Sequence, residues 1–273
     1  MRRQISITPS QKTGQQLARV REIRPIVHSI TNFVVMNSTA NVLLAMGAAP
    51  IMAHAFEEIG DISKISNSLV INIGTLSGSW IKSMEEAARC AREMSKPFVL
   101  DPVGSGATKL RTETASNIAR FMTPTVIRGN ASEILSICRI GSKTRGVDSI
   151  NSTQDAMESS VSLANSLGNV VAVTGAIDFV TDGNRSLIIK GGSPMMARVT
   201  GTGCAASVII GAFLAVEEDP LLATAGALAY FKVVAEKASV ESRGPGSFWV
   251  RVLDELDKIS SEELEELVRI DIA

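Results

Sequence analysis

Apolar residues fall into two rhythms along this chain. Short, largely apolar and often β-branched runs occur at Pro25–Ile30, Leu69–Ile73, Phe98–Leu100, Thr125–Ile127 and Val170–Val173. Runs of that length and continuity predict strands covered on both faces. Longer stretches rich in Ala, Met, Leu, Glu and Lys separate them. In Ser77–Met94, the residues Trp80, Met84, Ala87, Ala88 and Ala91 recur at helical spacing, and in Thr153–Leu167 the stripe is Ala156, Val161, Ala164 and Leu167. Alternation of this kind predicts an α/β fold with a mostly parallel central sheet and helices on both faces, a three-layer arrangement.

A second pattern interrupts the first. Phe179–Thr181 and Ser186–Ile189 flank Asp182-Gly183-Asn184-Arg185, which has the turn chemistry of a hairpin. From Gly203 onward the pattern predicts helices at Cys204–Val216, Leu221–Val240, Phe248–Ile259 and Glu262–Ile270, with Pro220 near the first position of the second. No linker, charge block or repeat period breaks the chain, which predicts one domain over residues 1–273.

Composition narrows the function. The 273 residues carry 27 Lys and Arg against 28 Asp and Glu, a formal net charge of −1. That balance argues against nucleic acid as a partner, because phosphate neutralisation needs a clustered cationic surface. Only 4% of residues are aromatic, too few for a base-stacking platform. The longest apolar run, Gly203 to Val216, is shorter than the ~20 residues a membrane-crossing helix needs. The basic N-terminal stretch lacks the apolar segment of a secretory signal. Cys90, Cys138 and Cys204 are odd in number and widely spaced, which suits a reducing compartment better than a disulfide framework or a zinc site. The expectation is a soluble, cytoplasmic protein with small-molecule ligands.

In open parallel sheets, ligands sit beyond the carboxyl ends of the strands. The residues placed there are His28, Ser29, Thr31 and Asn32, then Gly74-Thr75, then Asp101 to Gly106, then Arg128-Gly129-Asn130 with Glu133, then Thr174-Gly175. Asp101, Arg128, Asn130, Glu133 and Thr174 have the makings of a nucleotide-phosphate site. A guanidinium can bind phosphate in bidentate fashion, and carboxylates can hold Mg²⁺ directly or through its waters. The plainer alternative is a structural Arg–Glu pair with Asn130 as a helix cap.

A second cluster, Thr200-Gly201-Thr202-Gly203-Cys204-Ala205-Ala206, opens an apolar helix. Two glycines and the unpaired N–H groups of a helix start make an anion cradle suited to a phosphoryl group in transfer. The segment also matches the relaxed dinucleotide fingerprint GxGxxA, but late in the chain and not opening the first strand–helix unit. No GxxxxGK[ST] sequence occurs. Cys204 lies in the helix's first turn, where a thiol is either activated or simply a small buried hydrophobe. His28 and His54 are too few for a metal centre. Asn32 and Met52, at the ends of the apolar stretch between them, are the better candidates to line a pocket.

Five stretches closely resemble the hydroxyethylthiazole kinase family: HSITNFVVMNSTANVLLAMGAAPIMAHAFEEI (His28–Ile59), VLDPVGSGAT (Val99–Thr108), VIRGNASEI (Val126–Ile134), VAVTGAIDFVTDG (Val171–Gly183) and VTGTGCAASVIIGAF (Val199–Phe213). The resemblance spans nearly the whole chain and implies a ribokinase-like fold. It implies transfer of the ATP γ-phosphate to the hydroxyl of 4-methyl-5-(2-hydroxyethyl)thiazole in thiamine biosynthesis and salvage. It also implies a need for Mg²⁺ and a homotrimer with active sites at subunit interfaces. By matching motif, Met52 and Gly201 contact the thiazole, with Asn32 on the substrate side. Arg128 and Thr174 contact ATP, joined by Asn130, while Asp101 and Glu133 organise Mg²⁺ and phosphate. Gly201, Gly203 and Cys204 form the catalytic turn, Cys204 standing where most ribokinase-like kinases carry an aspartate base. The identity of the base stays open between Cys204, the phosphate itself and water. Rival readings are a pyrimidine-alcohol kinase, a nucleotide-binding regulator without activity, and a dehydrogenase.

Overall fold

A computed structural model describes residues 8–139 and 153–273. The first seven residues of the basic N-terminal stretch lie outside it. In chain order the elements are α1 (Pro9–Ile23), β1 (Ile26–Ile30), α2 (Met36–Met46), β2 (Ala49–Ile51), α3 (Ile59–Ile65), β3 (Ser68–Asn72), α4 (Gly78–Glu93), β4 (Phe98–Asp101), α5 (Lys109–Phe121), β5 (Val126–Asn130) and α6 (Ala131–Arg139). They continue with α7 (Thr153–Leu167), β6 (Val170–Thr174), β7 (Asp178–Thr181), β8 (Ser186–Lys190), α8 (Thr202–Leu214), α9 (Pro220–Val240), α10 (Pro245–Lys258), α11 (Ser261–Leu267) and β9 (Arg269–Ile272).

The strands form one sheet in the order β2-β1-β3-β4-β5-β6-β7-β8-β9. Pairing is parallel from β2 through β6 and antiparallel from there to β9. The chain leaves β1 to build β2 on one side and returns to build β3 on the other, so a topological switch point lies between β1 and β3. In open α/β sheets, ligands bind in the crevice at such a point.

Successive side chains of a central strand go to opposite cores, which is why these strands read as unbroken apolar runs. Val27, Val70, Val99 and Val126 pack with Ile209, Phe213, Leu228 and Phe231 in one core. Their neighbours Leu69, Ile71, Leu100 and Ile127 pack with Met84, Ala87, Ile118 and Ile134 in the other. Helices α8 and α9, buried along nearly their whole length, explain the near-continuous apolar sequence from Cys204 to Val240.

Several expectations shift. The strands predicted to stop at Leu100, Ile127 and Val173 run on to Asp101, Asn130 and Thr174. Polar residues do not end a strand while the ladder continues, as in the pairs Arg128↔Ala172 and Asn130↔Thr174. The helix predicted over Glu262–Ile270 ends at Leu267, and the chain then becomes β9, paired with β8 from Lys190↔Arg269 to Leu187↔Ile272. The alternation Val268-Arg269-Ile270-Asp271-Ile272 has a period of two, and it overrides the helical reading once β8 offers an edge. Helix α1, which begins within the basic N-terminal stretch and was not predicted, is set by a capping box between Thr8 and Gln11 with Pro9 in the first turn.

Candidate active site

The switch point is occupied by a chain of buried polar side chains. Asn32, just past β1, donates from Nδ2 to Asn72 Oδ1 at 2.8 Å. Asn72, the last residue of β3, donates from its own Nδ2 to Asp101 Oδ2 at 2.7 Å and to Cys204 Sγ at 3.1 Å. Its Oδ1 also accepts the N–H of Gly74 at 3.0 Å. Ser207, one turn into α8, donates to Asp101 Oδ2 at 2.8 Å. Asp101 Oδ1 has no hydrogen-bond partner and lies 3.7 Å from Arg128 Nη1.

Charge in this network is costly. Burial, then the neighbouring Glu133, pushes the Asp101 carboxyl up to about 6, against the pull of Arg128 and the bonds from Ser207 and Asn72. Burial and the Asp101 charge push the Cys204 thiol up to about 11, against Asn72 and Arg128. The helix start does not activate this cysteine: at neutral pH it is a thiol.

The second part of the site is the entrance to α8. A short 3₁₀ turn at Pro194–Arg198 leads into Gly201, whose φ of +88° suits glycine. A Cβ there would stand 2.8 Å from Val35 Cγ1, and one on Gly203 would stand 2.9 Å from Arg128 Nη1. Both glycines are needed for close approach, and Arg128 lies across the first turn of the helix. Its Nη2 donates to Thr174 Oγ1 at 2.5 Å, and Thr174 donates on to Gly129 O at 3.3 Å. The Arg128 Nε is buried without a partner. Asp101 Oδ1, the Arg128 guanidinium and the start of α8 therefore lie side by side, joined through Arg128 Nη1.

That spot opens into a cavity of about 690 Å³. Arg128, Asn130, Thr174 and Gly203 line one end of it, and Pro194, Met196, Leu228 and Phe231 line an apolar part. A guanidinium and free amides beside an apolar slot suit a phosphorylated heteroaromatic ligand.

The predicted site residues divide accordingly. Arg128, Asn130, Thr174 and Gly203 line the cavity, and Asn32, Asp101 and Cys204 join in the network beneath it. Glu133 is less free than expected of a metal ligand: Oε1 accepts the N–H of Gly104 at 2.9 Å and Oε2 that of Asn130 at 2.8 Å. Asn130 Oδ1 accepts the N–H of Glu133 at 3.0 Å, so both residues cap α6 as well as facing the site. Met52 follows β2 at the sheet edge, half-buried and apart from the cavity lining. Beside it His28 Nε2 lies 2.9 Å from Ala53 O, and the rings of His54 and Phe33 pack against Trp80 at a tilt of 41°, with centroids 4.8 and 4.7 Å away.

Four residues escaped the sequence reading: Asn72, Ser207, Asp178 and Lys232. Asn72 closes β3 and Asp178 opens β7, while Ser207 and Lys232 lie inside apolar helices. A polar residue in a run otherwise this apolar was the available signal.

An α/β sheet with its switch point open above a glycine-rich helix start has the ribokinase-like fold. The fold matches that of a ribokinase-like superfamily protein from Enterococcus faecalis V583 with a TM-score of 0.65, at 12% identity over 93% of this chain and 95% of that one. Residues 17–262 match the hydroxyethylthiazole kinase family, and the chain belongs to it. It is 49% identical over 257 residues to the hydroxyethylthiazole kinase of Desulfotalea psychrophila, covering 94% of each chain. The structure of hydroxyethylthiazole kinase from Pyrococcus horikoshii OT3 matches with a TM-score of 0.89, at 42% identity over 96% of this chain and 98% of that one.

Proposed function

We propose that this protein transfers the γ-phosphate of ATP to the primary hydroxyl of 4-methyl-5-(2-hydroxyethyl)thiazole, a salvage step toward thiamine. Membership of the family points to the reaction. The observation that carries it is the Arg128 guanidinium packed over Gly203 at the α8 start, with Asp101 and Cys204 directly beneath.

In this reading the triphosphate enters from the cavity, and its terminal phosphoryl group meets Arg128 and the backbone N–H groups of residues 202–204. Phosphoryl transfer asks mainly for positioning and charge stabilisation, which these groups supply without rearranging. The alcohol approaches from the side of Asn32 and Met52, with its hydroxyl at Cys204. Since the thiol is neutral, Cys204 orients the hydroxyl; the oxygen attacks phosphorus as the ADP oxygen departs, and the hydroxyl proton leaves on the transferred phosphate.

Among the described residues no group of three or more His, Cys, Asp or Glu is arranged to cage a metal. The donors present do fit Mg²⁺, which keeps most of its waters and is commonly held by one or two carboxylates together with substrate phosphates. The unpartnered, buried Asp101 Oδ1 would hold it, with Glu133 on the outer side. When bound, the ion would spread the negative charge of the triphosphate.

The chain acts as one kinase domain and assembles, in this proposal, as a homotrimer with sites shared between subunits. Phe33 is 68% exposed, and Val34, Leu44 and Phe56 are also exposed in the segment that carries Asn32 and Met52. A patch of that kind suits burial against another subunit. Three free cysteines fit a cytoplasmic location.

The test is ADP production on adding the thiazole alcohol or a hydroxymethylpyrimidine, each with and without Mg²⁺. Turnover with thiazole and Mg²⁺ alone supports the proposal; equal turnover with pyrimidine, or none with either, refutes it. Light scattering on the eluting protein should give three chains.

A further inference from the structure

One ion pair in the cavity wall has no place in the chemistry just described. Lys232, in the middle of α9, is only 5% exposed. Its Nζ lies 3.3 Å from Asp178 Oδ1 at the start of β7. It also donates to the carbonyls of Gly175 at 3.3 Å, Ala176 at 3.1 Å and Gly191 at 3.4 Å. Asp178 Oδ1 in turn accepts the N–H of Gly175 at 2.9 Å. Gly175 and Ala176 form the turn between β6 and β7, and Gly191 begins the segment that leaves β8 for the entrance to α8. All of these residues line the same cavity.

A buried ion pair is a poor way to make a core stable, because desolvation offsets most of its attraction, and apolar replacements often do as well or better. What an ammonium group does that a leucine cannot is gather several carbonyls from separate segments around one point. We infer that Lys232 and Asp178 are positioning residues for the nucleotide: they clamp the β6–β7 turn against the loop after β8 and so fix the width of the cavity. The inference rests on the reading of that cavity as the ATP site. Thr174, which holds Arg128, is the residue immediately before Gly175, so the clamp also steadies the phosphate end. The thiazole side, at Asn32 and Met52, is built on β1 and β2 and does not touch it.

The test uses Lys232→Met, Asp178→Asn and the double variant, with Arg21→Ala as a stability control. Arg21 donates to the carbonyls of Leu256, Asp257 and Ile259 and has no part in the site. For each, the KM values for ATP and for thiazole alcohol are measured, along with the Kd of a non-hydrolysable ATP analogue by calorimetry and the midpoint of thermal unfolding. Lys232→Met should raise the ATP KM and the analogue Kd tenfold or more while changing the thiazole KM less than twofold. Asp178→Asn, which keeps an acceptor for Gly175 N–H, should have a smaller effect of the same kind. The double variant removes the uncompensated charge, so its unfolding midpoint should recover while its ATP KM stays high. Recovery of nucleotide affinity along with stability would overturn the clamp and leave the pair merely structural. So would nucleotide affinity unchanged in Asp178→Asn and the double variant, which decide the matter if Lys232→Met does not fold. Failure of the ATP-site reading looks different: wild-type protein would then bind the analogue no better than Arg128→Ala.

Discussion

Replacing Asp101 by Asn should make this protein more stable and nearly inactive. Asn has the shape of the protonated carboxyl, and its Oδ1 can keep both hydrogen bonds that Asp101 Oδ2 accepts, from Asn72 and Ser207. What changes is the buried charge. Burial holds the carboxyl at about 6 in the folded protein against an ordinary value of 3.8. At ~1.4 kcal/mol per pH unit, that difference makes the ionised carboxylate cost on the order of 3 kcal/mol of folding stability. The sign follows from the raised folded value: this group's contribution is most favourable below pH 3.8 and is lost as the pH rises through about 6. Asp101→Asn should therefore gain about 3 kcal/mol over wild type at pH 8, or roughly 5–10 °C in unfolding midpoint, and the gain should fade toward pH 4.5. Urea titrations of both proteins at pH 8, 6 and 4.5, each paired with a turnover measurement, check this. A variant less stable than wild type at pH 8, or a gain independent of pH, would refute the argument that burial of this charge is tolerated for function.

Other expectations follow from the same geometry. Arg128→Ala should raise the ATP KM at least tenfold and lower kcat by roughly a hundredfold, the scale for removing one preorganised donor to a developing charge; unchanged ATP kinetics would exclude the role assigned to it. Cys204→Ala should lower kcat by no more than about tenfold, against the ~100-fold or more lost with a general base, and should leave the kcat profile between pH 7 and 9 unchanged in shape. Abolished turnover with intact thiazole binding would make Cys204 the base after all. Tyr230→Phe, which removes the 2.6 Å bond from the buried hydroxyl to Leu256 O, should cost about 1 kcal/mol by denaturant unfolding and leave both KM values alone.

The layered fold was legible because each central strand is buried on both faces: Val170–Val173 is apolar at every position and Leu69–Ile73 at all but Asn72. The edges were harder. β9 pairs only with β8, and its four residues form a strand because of a partner some eighty positions earlier, which no local window contains. At the site, Arg128, Asn130 and Thr174 were visible because they break apolar runs where strands end, and Gly201 and Gly203 because they precede a helix. Asn72 was hidden as the single polar residue of the run Leu69–Ile73. Its importance comes from three side chains brought together by the switch point, two of them from β4 and α8. Lys232 was hidden in the same way among the apolar residues of α9. The helix start at Cys204 pointed toward an activated thiol, but the depth of burial and the nearby Asp101 charge reverse that effect.

Transfer in this protein requires a phosphoryl group between Arg128 and the amides of residues 202–204, with the acceptor alcohol on the Cys204 side. The direct measurement is a crystal structure with a non-hydrolysable ATP analogue, Mg²⁺ and the thiazole alcohol bound together. It should show the terminal phosphate against Gly203 and Arg128, the base in the slot of Pro194, Leu228 and Phe231, and the hydroxyl facing phosphorus beside Cys204. A nucleotide seated elsewhere on the molecule, or an alcohol on the far side of Arg128 from Cys204, would contradict it.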